Sequence, residues 1–137
     1  MNEDAHHYAA SCLLMRARRL ARATTQIYVQ EMGAVGLSVG QFSLLAAIGV
    51  SPGARAADLG PALDLEKSTV SREVAGLLRE GLVEAVAIDG RSKGLRITAE
   101  GAARLKAARP AWSRAQARAE EALGELAPAL WRRFPAE

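Results

Sequence analysis

Lys67-Ser68-Thr69-Val70-Ser71-Arg72-Glu73-Val74-Ala75-Gly76-Leu77-Leu78-Arg79 is the stretch on which the fold turns. Val70, Val74, Leu77 and Leu78 recur at the i, i+4, i+7, i+8 spacing of one helix face, and Lys67, Ser68, Ser71, Arg72, Ala75 and Arg79 fall opposite. The pattern predicts a helix from about Lys67 to Glu80, stopped by Gly81 as a left-handed cap. Just upstream, Ala56 to Leu63 reads as a shorter helix that buries Ala57, Leu59 or Leu63 and contains Pro61. Only Asp64, Leu65 and Glu66 separate the two, and two short helices joined in this way make a helix-turn-helix. Its second helix fits the major groove of B-DNA, where hydroxyl and guanidinium groups read base edges.

Beyond Gly81 the period changes. Leu82 to Ile88 is rich in β-formers, Asp89-Gly90 is a turn signal and Leu95-Arg96-Ile97 alternates, which predicts a hairpin with a basic tip at Arg91, Ser92 and Lys93. Thr98 is a good N-cap for the long helical stretch that follows. There Leu105, Ala108, Trp112, Ala115, Ala119, Ala122 and Leu126 alternate spacings of three and four, a heptad seam that calls for a partner helix. Pro110 is expected to kink it, and Leu126 to Phe134 to add a short terminal helix. At the other end, Ala9 to Met32 holds no proline or glycine. Ala10, Leu13, Ala17, Leu20, Thr24 and Ile27 line one face of a single long helix there, with Arg16, Arg18, Arg19 and Arg22 on its other faces. Ser38 and Gln41 form a capping box for a helix from about Val39 that buries Phe42, Leu45 and Ile48, and Ser51-Pro52-Gly53 is a turn. The expected fold class is mainly α with a small β wing. A winged helix-turn-helix lobe at 38–98 stands between long terminal helices at 9–33 and 99–134, all in one domain over 1–137.

With 137 residues, half of them apolar and 24% charged, the chain fills one core, and its formal charge of +3 is too mild to establish a polyanionic partner alone. The lone Cys12 forms no intrachain disulfide and no secretion signal opens the sequence, so a cytoplasmic location is expected. Arg or Glu interrupts every apolar run, so no membrane insertion is expected. No glycine-rich phosphate loop, HExxH or GxSxG occurs, and neither an enzyme nor a cofactor is expected. His6, His7 and Cys12 point to different helix faces, which argues against a metal site.

In the DNA-binding reading, Arg72 suits a guanine edge, Ser68, Thr69 and Ser71 offer hydroxyls, and Lys67 acts as a point charge on phosphate. Arg91, flanked by Ser92 and Lys93, would enter the minor groove, with Asp89 orienting it as an exposed ion-pair partner. Gly36-Leu-Ser-Val-Gly-Gln-Phe-Ser-Leu-Leu, Leu65-Glu-Lys-Ser-Thr-Val-Ser-Arg72, Leu78-Arg-Glu-Gly-Leu-Val83 and Asp89-Gly-Arg-Ser-Lys-Gly-Leu-Arg-Ile-Thr98-Ala-Glu-Gly101 together resemble the MarR family of winged-helix transcriptional regulators. The resemblance implies an obligate homodimer joined by its terminal helices, bound to double-stranded DNA at a pseudopalindromic operator and released by a small molecule. By position, Arg91 matches the wing arginine, Asp89 its partner, and Ser68, Thr69, Ser71 and Arg72 the recognition-helix contacts. One departure is Ala54-Arg55-Ala56, which lacks the usual Ser or Thr cap before the first helix of the motif.

For the effector, Arg16 and Arg19 on the first helix suggest a grip on an organic anion, because guanidinium groups hold carboxylates in bidentate fashion. Cys12 suggests the alternative of thiol-based oxidant sensing, with Arg16 favouring the thiolate, although the tyrosines that accompany such a thiol in the family are replaced by Arg16 and Gln26. A winged-helix protein-interaction module without DNA binding is a further alternative. Trp112 and Trp131 are expected to pack rather than to line a ligand site.

Overall fold

The computed structural model describes residues 1–136, so Glu137, the last position of the expected domain, lies outside the described residues. Its elements are α1 (Glu3–Ser11), α2 (Leu13–Met32), a 3-10 turn (Gly33–Val35), α3 (Val39–Val50), α4 (Ala56–Leu63), α5 (Lys67–Arg79), β1 (Val83–Ala87), β2 (Lys93–Ile97), α6 (Ala99–Leu123) and α7 (Leu126–Arg133). The architecture is the predicted one, mainly α with a small β wing. Met32, Leu44, Leu45, Ile48, Leu77 and Leu82 are fully buried at the centre of the lobe, and burying each such side chain stabilises the fold by ~1.5–3 kcal/mol. Val70, Val74 and Leu77 form the inward face of α5, while Leu78 stays 41% exposed, so that face is narrower than the sequence pattern implies. In α3 the inner place expected for Phe42 belongs to Leu44, and Phe42 packs at the edge of the core.

Two glycines explain how the wing joins the lobe. β1 and β2 pair antiparallel from Val83 opposite Ile97 to Ala87 opposite Lys93. Leu95 also bonds the chain ahead of α4: the Gly53 N–H donates to the Leu95 carbonyl (2.8 Å), and the Leu95 N–H donates to the Ala54 carbonyl (2.9 Å). A Cβ on Gly94 would lie 2.2 Å from the Gly53 carbonyl oxygen, so only glycine permits this approach. At the wing's base, Thr98 caps α6 by accepting from the Gly101 N–H (3.1 Å) and donates its hydroxyl to the Gly81 carbonyl (2.6 Å). A Cβ on Gly101 would sit 2.1 Å from the Leu82 carbonyl oxygen. The Ile-Thr-x-x-Gly run is therefore the joint that seats the long helix on the wing.

The terminal helices depart from expectation in two ways. The predicted first helix is broken, because Cys12 adopts an extended backbone (φ −71°, ψ 116°) between α1 and α2. No proline or glycine marks the break. What holds it is Arg16, whose guanidinium donates to the carbonyls of Ala9 (3.0 Å) and Ala10 (2.8 Å), groups that a helix end leaves unpaired. The predicted heptad seam of α6 is also not the buried line. Ala108, Ala111, Ala115 and Ala119 are buried, and α6 packs on α2 of the same chain; Trp112 and Leu126 remain exposed. A straight helix turns every 3.6 residues and drifts off a 3.5-residue seam, so the small residues that let α2 approach closely are shared between the two patterns. α6 continues through Pro110 without interruption. Glu31 fastens the pair by accepting from Arg114 (3.0 Å) and Arg118 (3.1 Å), and Arg118 also donates to Gln30 (2.9 Å).

Candidate nucleic-acid interface

The orientation of α5 is set by the residues that start α3. Ser38 and Gln41 form the predicted capping box, and each also reaches across to α5. The Ser38 hydroxyl donates to Glu73 (3.2 Å) and the Gln41 amide to Glu80 (3.3 Å). One helix start thus holds α5 at its middle and at its end. Between α4 and α5, Asp64 takes the left-handed conformation (φ 53°), which aspartate tolerates better than most residues, and the Leu65 N–H donates to the Gly60 carbonyl (2.9 Å).

This leaves the predicted contact residues on the outer surface. Lys67, Ser68, Ser71 and Arg72 are exposed and Thr69 is half-buried. Glu66, at the N-cap of α5, makes no side-chain capping bond, so the first-turn N–H groups stay open to a ligand. Arg72 is 71% exposed, and its nearest carboxylate, Glu73, stands at 4.0 Å. A groove of about 480 Å³ runs between α4 and α5, with Ala56 and Pro61 on one side and Lys67 and Ser71 on the other.

Asp89 does not pair with the Arg91 guanidinium. Its carboxylate accepts from the backbone N–H groups of Arg91 (3.0 Å) and Ser92 (2.8 Å), closing the tip of the hairpin. The second carboxylate oxygen faces the Arg55 guanidinium at 3.5 Å. These bonds, that from the Arg91 N–H foremost, hold the Asp89 carboxyl below its ordinary value. Asp89 thus orients Arg91 through the main chain and leaves its guanidinium exposed beside Lys93. Arg55 was missed from sequence. The missing hydroxyl cap before α4 was the available signal, because an arginine occupies that N-cap position and reaches the wing instead.

Residues 35–92 match the family model described as MarR family. The structure of the Mycobacterium tuberculosis transcriptional regulator MosR is 31% identical, with 90% of each chain covered and a TM-score of 0.78. The chain belongs to the MarR family. It is a transcriptional regulator and not an enzyme. Two further similar structures of regulators were solved with ligands. MosR in complex with DNA is 33% identical, over 83% of this chain and 84% of that one, with a TM-score of 0.70. PcaV from Streptomyces coelicolor, with its natural ligand, is 25% identical over 91% of this chain and 89% of that one, with a TM-score of 0.76. No curated protein matches the chain in sequence.

The residues singled out for an effector in this MarR-family chain do not converge. Arg16 is engaged with the α1 carbonyls, Arg19 is exposed, and Cys12 is a half-buried free thiol at the start of α2. None of the three lines the two clefts on the terminal helices. One cleft, of about 360 Å³, lies between α2, α6 and α7 and includes Tyr28, Gln116, Glu120 and Trp131. The other, of about 390 Å³, includes Leu20, Ala21 and Val39 and shares Thr24, Tyr28 and Leu130 with the first. Trp131, expected to pack, is 61% exposed at the mouth of the first cleft. Among the described residues no group of three or more His, Cys, Asp or Glu is placed to hold a metal ion, and no single helix is long and apolar enough to cross a membrane.

Proposed function

We propose that this regulator binds a pseudopalindromic DNA operator as a homodimer, represses transcription from it in the cytoplasm, and is released by a small molecule. The observation that carries the reading is the pairing of an open, hydroxyl-rich first turn of α5 with a wing whose Asp89 holds the Arg91 backbone and leaves the guanidinium free. In this reading 38–98 is the DNA-binding lobe, and 9–33 and 99–134 form the dimer. Arg72 reads a base edge. Lys67, Ser68, Thr69 and Ser71 contact the groove and its phosphates, and Arg91, Ser92 and Lys93 engage the neighbouring minor groove. The complexes of MosR with DNA and of PcaV with its ligand support the two halves of the proposal by likeness.

The effector half turns on differential affinity. A ligand that favours one angle between the terminal helices and the winged lobes shifts the spacing of the two recognition helices and so weakens DNA binding. The test is fluorescence anisotropy on duplexes from the regulator's own upstream region, over a range of salt. A sequence-dependent affinity with a steep fall in log K against log salt supports the reading, because each neutralised phosphate contributes about −0.9 to the slope. Binding without sequence preference and with a flat slope overturns it.

A further inference from the structure

We propose that Arg55 is a further DNA contact, one that takes a phosphate of the strand lying between the two grooves. The inference rests on the DNA-binding reading above and adds a residue to it. With α5 in a major groove and the wing in the neighbouring minor groove, a single sugar-phosphate strand runs between them. A cation that stands between the helix-turn-helix and the wing tip therefore faces phosphate and not a base edge.

Backbone and side chain both put Arg55 there. Gly53 and Ala54, the two residues before it, are hydrogen-bonded to Leu95 of the wing, and Ala56, the residue after it, opens α4 and lines the groove beside α5. Arg55 thus sits where the wing passes into the helix-turn-helix. Its guanidinium is turned to the wing. Asp58, the acid in the first turn of its own helix, is not its partner, whereas Asp89 at the hairpin tip stands at 3.5 Å. That separation is long for a hydrogen bond, and among the described residues the Arg55 side chain makes none, so its five N–H donors are unspent. Other paired arginines differ: Arg96 is bonded to Glu84, and Arg114 and Arg118 to Glu31. The Arg55 side chain is 47% exposed, open to a ligand on its outer side.

Asp89 holds this cation ready. Its other oxygen is fixed by the Arg91 and Ser92 N–H groups, and the Ile88 N–H donates to the Ser92 carbonyl (3.0 Å), so the carboxylate that faces Arg55 belongs to an ordered tip. A guanidinium placed in advance loses less freedom when it meets its ligand. Arg91 and Lys93 are exposed on the same tip and draw the same strand. Where a Ser or Thr cap would offer a hydroxyl, Arg55 offers charge and a planar fork that fits two phosphate oxygens at once.

The test is the salt dependence of operator binding by the full-length protein, read by fluorescence anisotropy from about 50 to 200 mM salt. A dimer carries Arg55 twice, so Arg55→Ser should make the slope of log K against log salt shallower by about 1.8, and the variant should lose about tenfold less affinity than the wild type over that range. Serine supplies a hydroxyl cap for α4, so circular dichroism should not change. Arg55→Lys keeps the charge and should keep the wild-type slope. Repeating Arg55→Ser in Asp89→Asn protein separates contact from positioning. A phosphate contact costs the same slope in both backgrounds, while an arginine that acts only by holding Asp89 costs nothing further once the Asp89 charge is gone. An unchanged slope in Arg55→Ser, a slope in Arg55→Lys as shallow as that of the serine variant, or a loss that vanishes in the Asp89→Asn background would each overturn the proposal. A steep wild-type slope that Arg55→Ser leaves untouched overturns the role of Arg55 alone. A flat wild-type slope without sequence preference overturns the operator reading, and the phosphate contact with it.

Discussion

Asp89 shows how one carboxylate divides its work. One oxygen closes the hairpin tip by accepting from the Arg91 and Ser92 N–H groups, and the other faces Arg55. The two roles separate by substitution. Asp89→Asn keeps a side-chain oxygen for the turn and removes the charge that Arg55 meets; Asp89→Ala removes both. Hydrogen exchange should therefore show the Arg91 and Ser92 amides losing protection in Asp89→Ala and retaining most of it in Asp89→Asn. Equal loss in both would assign the tip's order to the ion pair. An exposed pair of this kind contributes only ~0–1 kcal/mol, so the turn bonds are the main source of order at the tip. Arg91→Ala should weaken binding across operator sequences and lower the salt slope by about one, with unchanged circular dichroism. Arg72→Ala should instead cost ~1–3 kcal/mol at one base pair and relax specificity there; competition with single-base operator variants reads the difference. The contact surface was readable because its residue types sit at helical and hairpin spacings. The Arg55 link was not, because it joins segments far apart in sequence through a side chain that periodicity does not describe.

Elements were readable where local chemistry decides them, as at the Ser38 and Gln41 capping box and the Thr98 cap, and misread where tertiary packing decides. The α6 seam is the clearest case: Ala108, Ala115 and Ala119 belong both to the heptad pattern and to the face on α2, and only the packing shows that Ala111 replaces Trp112. The break at Cys12 is the other, since the arginine that stabilises it lies beyond it in sequence. The joint at the start of α6 yields a stability prediction. Gly101→Ala places a Cβ against the Leu82 carbonyl oxygen at 2.1 Å, a backbone atom that cannot move aside cheaply. The expected cost is ~1–3 kcal/mol in urea unfolding, the range for an overpacked interior. The α2–α6 clasp yields a pH prediction. Glu31 is held below the ordinary glutamate value of 4.5, first by its hydrogen bond from Arg114 and then by that from Arg118. A carboxylate whose folded value is depressed stabilises the fold fully above its unfolded value, and that contribution fades as pH falls through the folded one. Acid should therefore loosen the clasp below pH 4.5, and Glu31→Gln should flatten the dependence of the melting temperature on pH in that acid range while lowering it at neutral pH. An unchanged acid limb in the variant would remove Glu31 from the account.

At the level of the assembled regulator, the packing of α2 on α6 within one chain leaves surplus apolar surface. Leu13, Leu14, Trp112, Leu126, Trp131 and Phe134 are all exposed, and all belong to the terminal helices or their ends. Exposed apolar residues concentrated in one part of a fold rather than scattered over it indicate a surface that another molecule covers, and under the proposed function that molecule is a second copy. A dimer closed through these helices holds two copies of α5 at a fixed separation, and a fixed separation is a statement about DNA. Both recognition helices enter the major groove on one face only if the half-sites repeat after one helical turn, ~34–36 Å. Inserting five base pairs between the half-sites rotates one of them by about half a turn and displaces it by about 17 Å, which the clasped terminal helices cannot follow without breaking their packing. Affinity for the expanded operator should fall to that of unrelated duplex, at least about a thousandfold at physiological salt, the usual margin between specific and non-specific binding. Retained tight binding to the expanded site would mean that the two lobes are tethered loosely, or that each reads DNA alone. The coupling between dimer geometry and operator recognition, on which effector release depends, would then be absent.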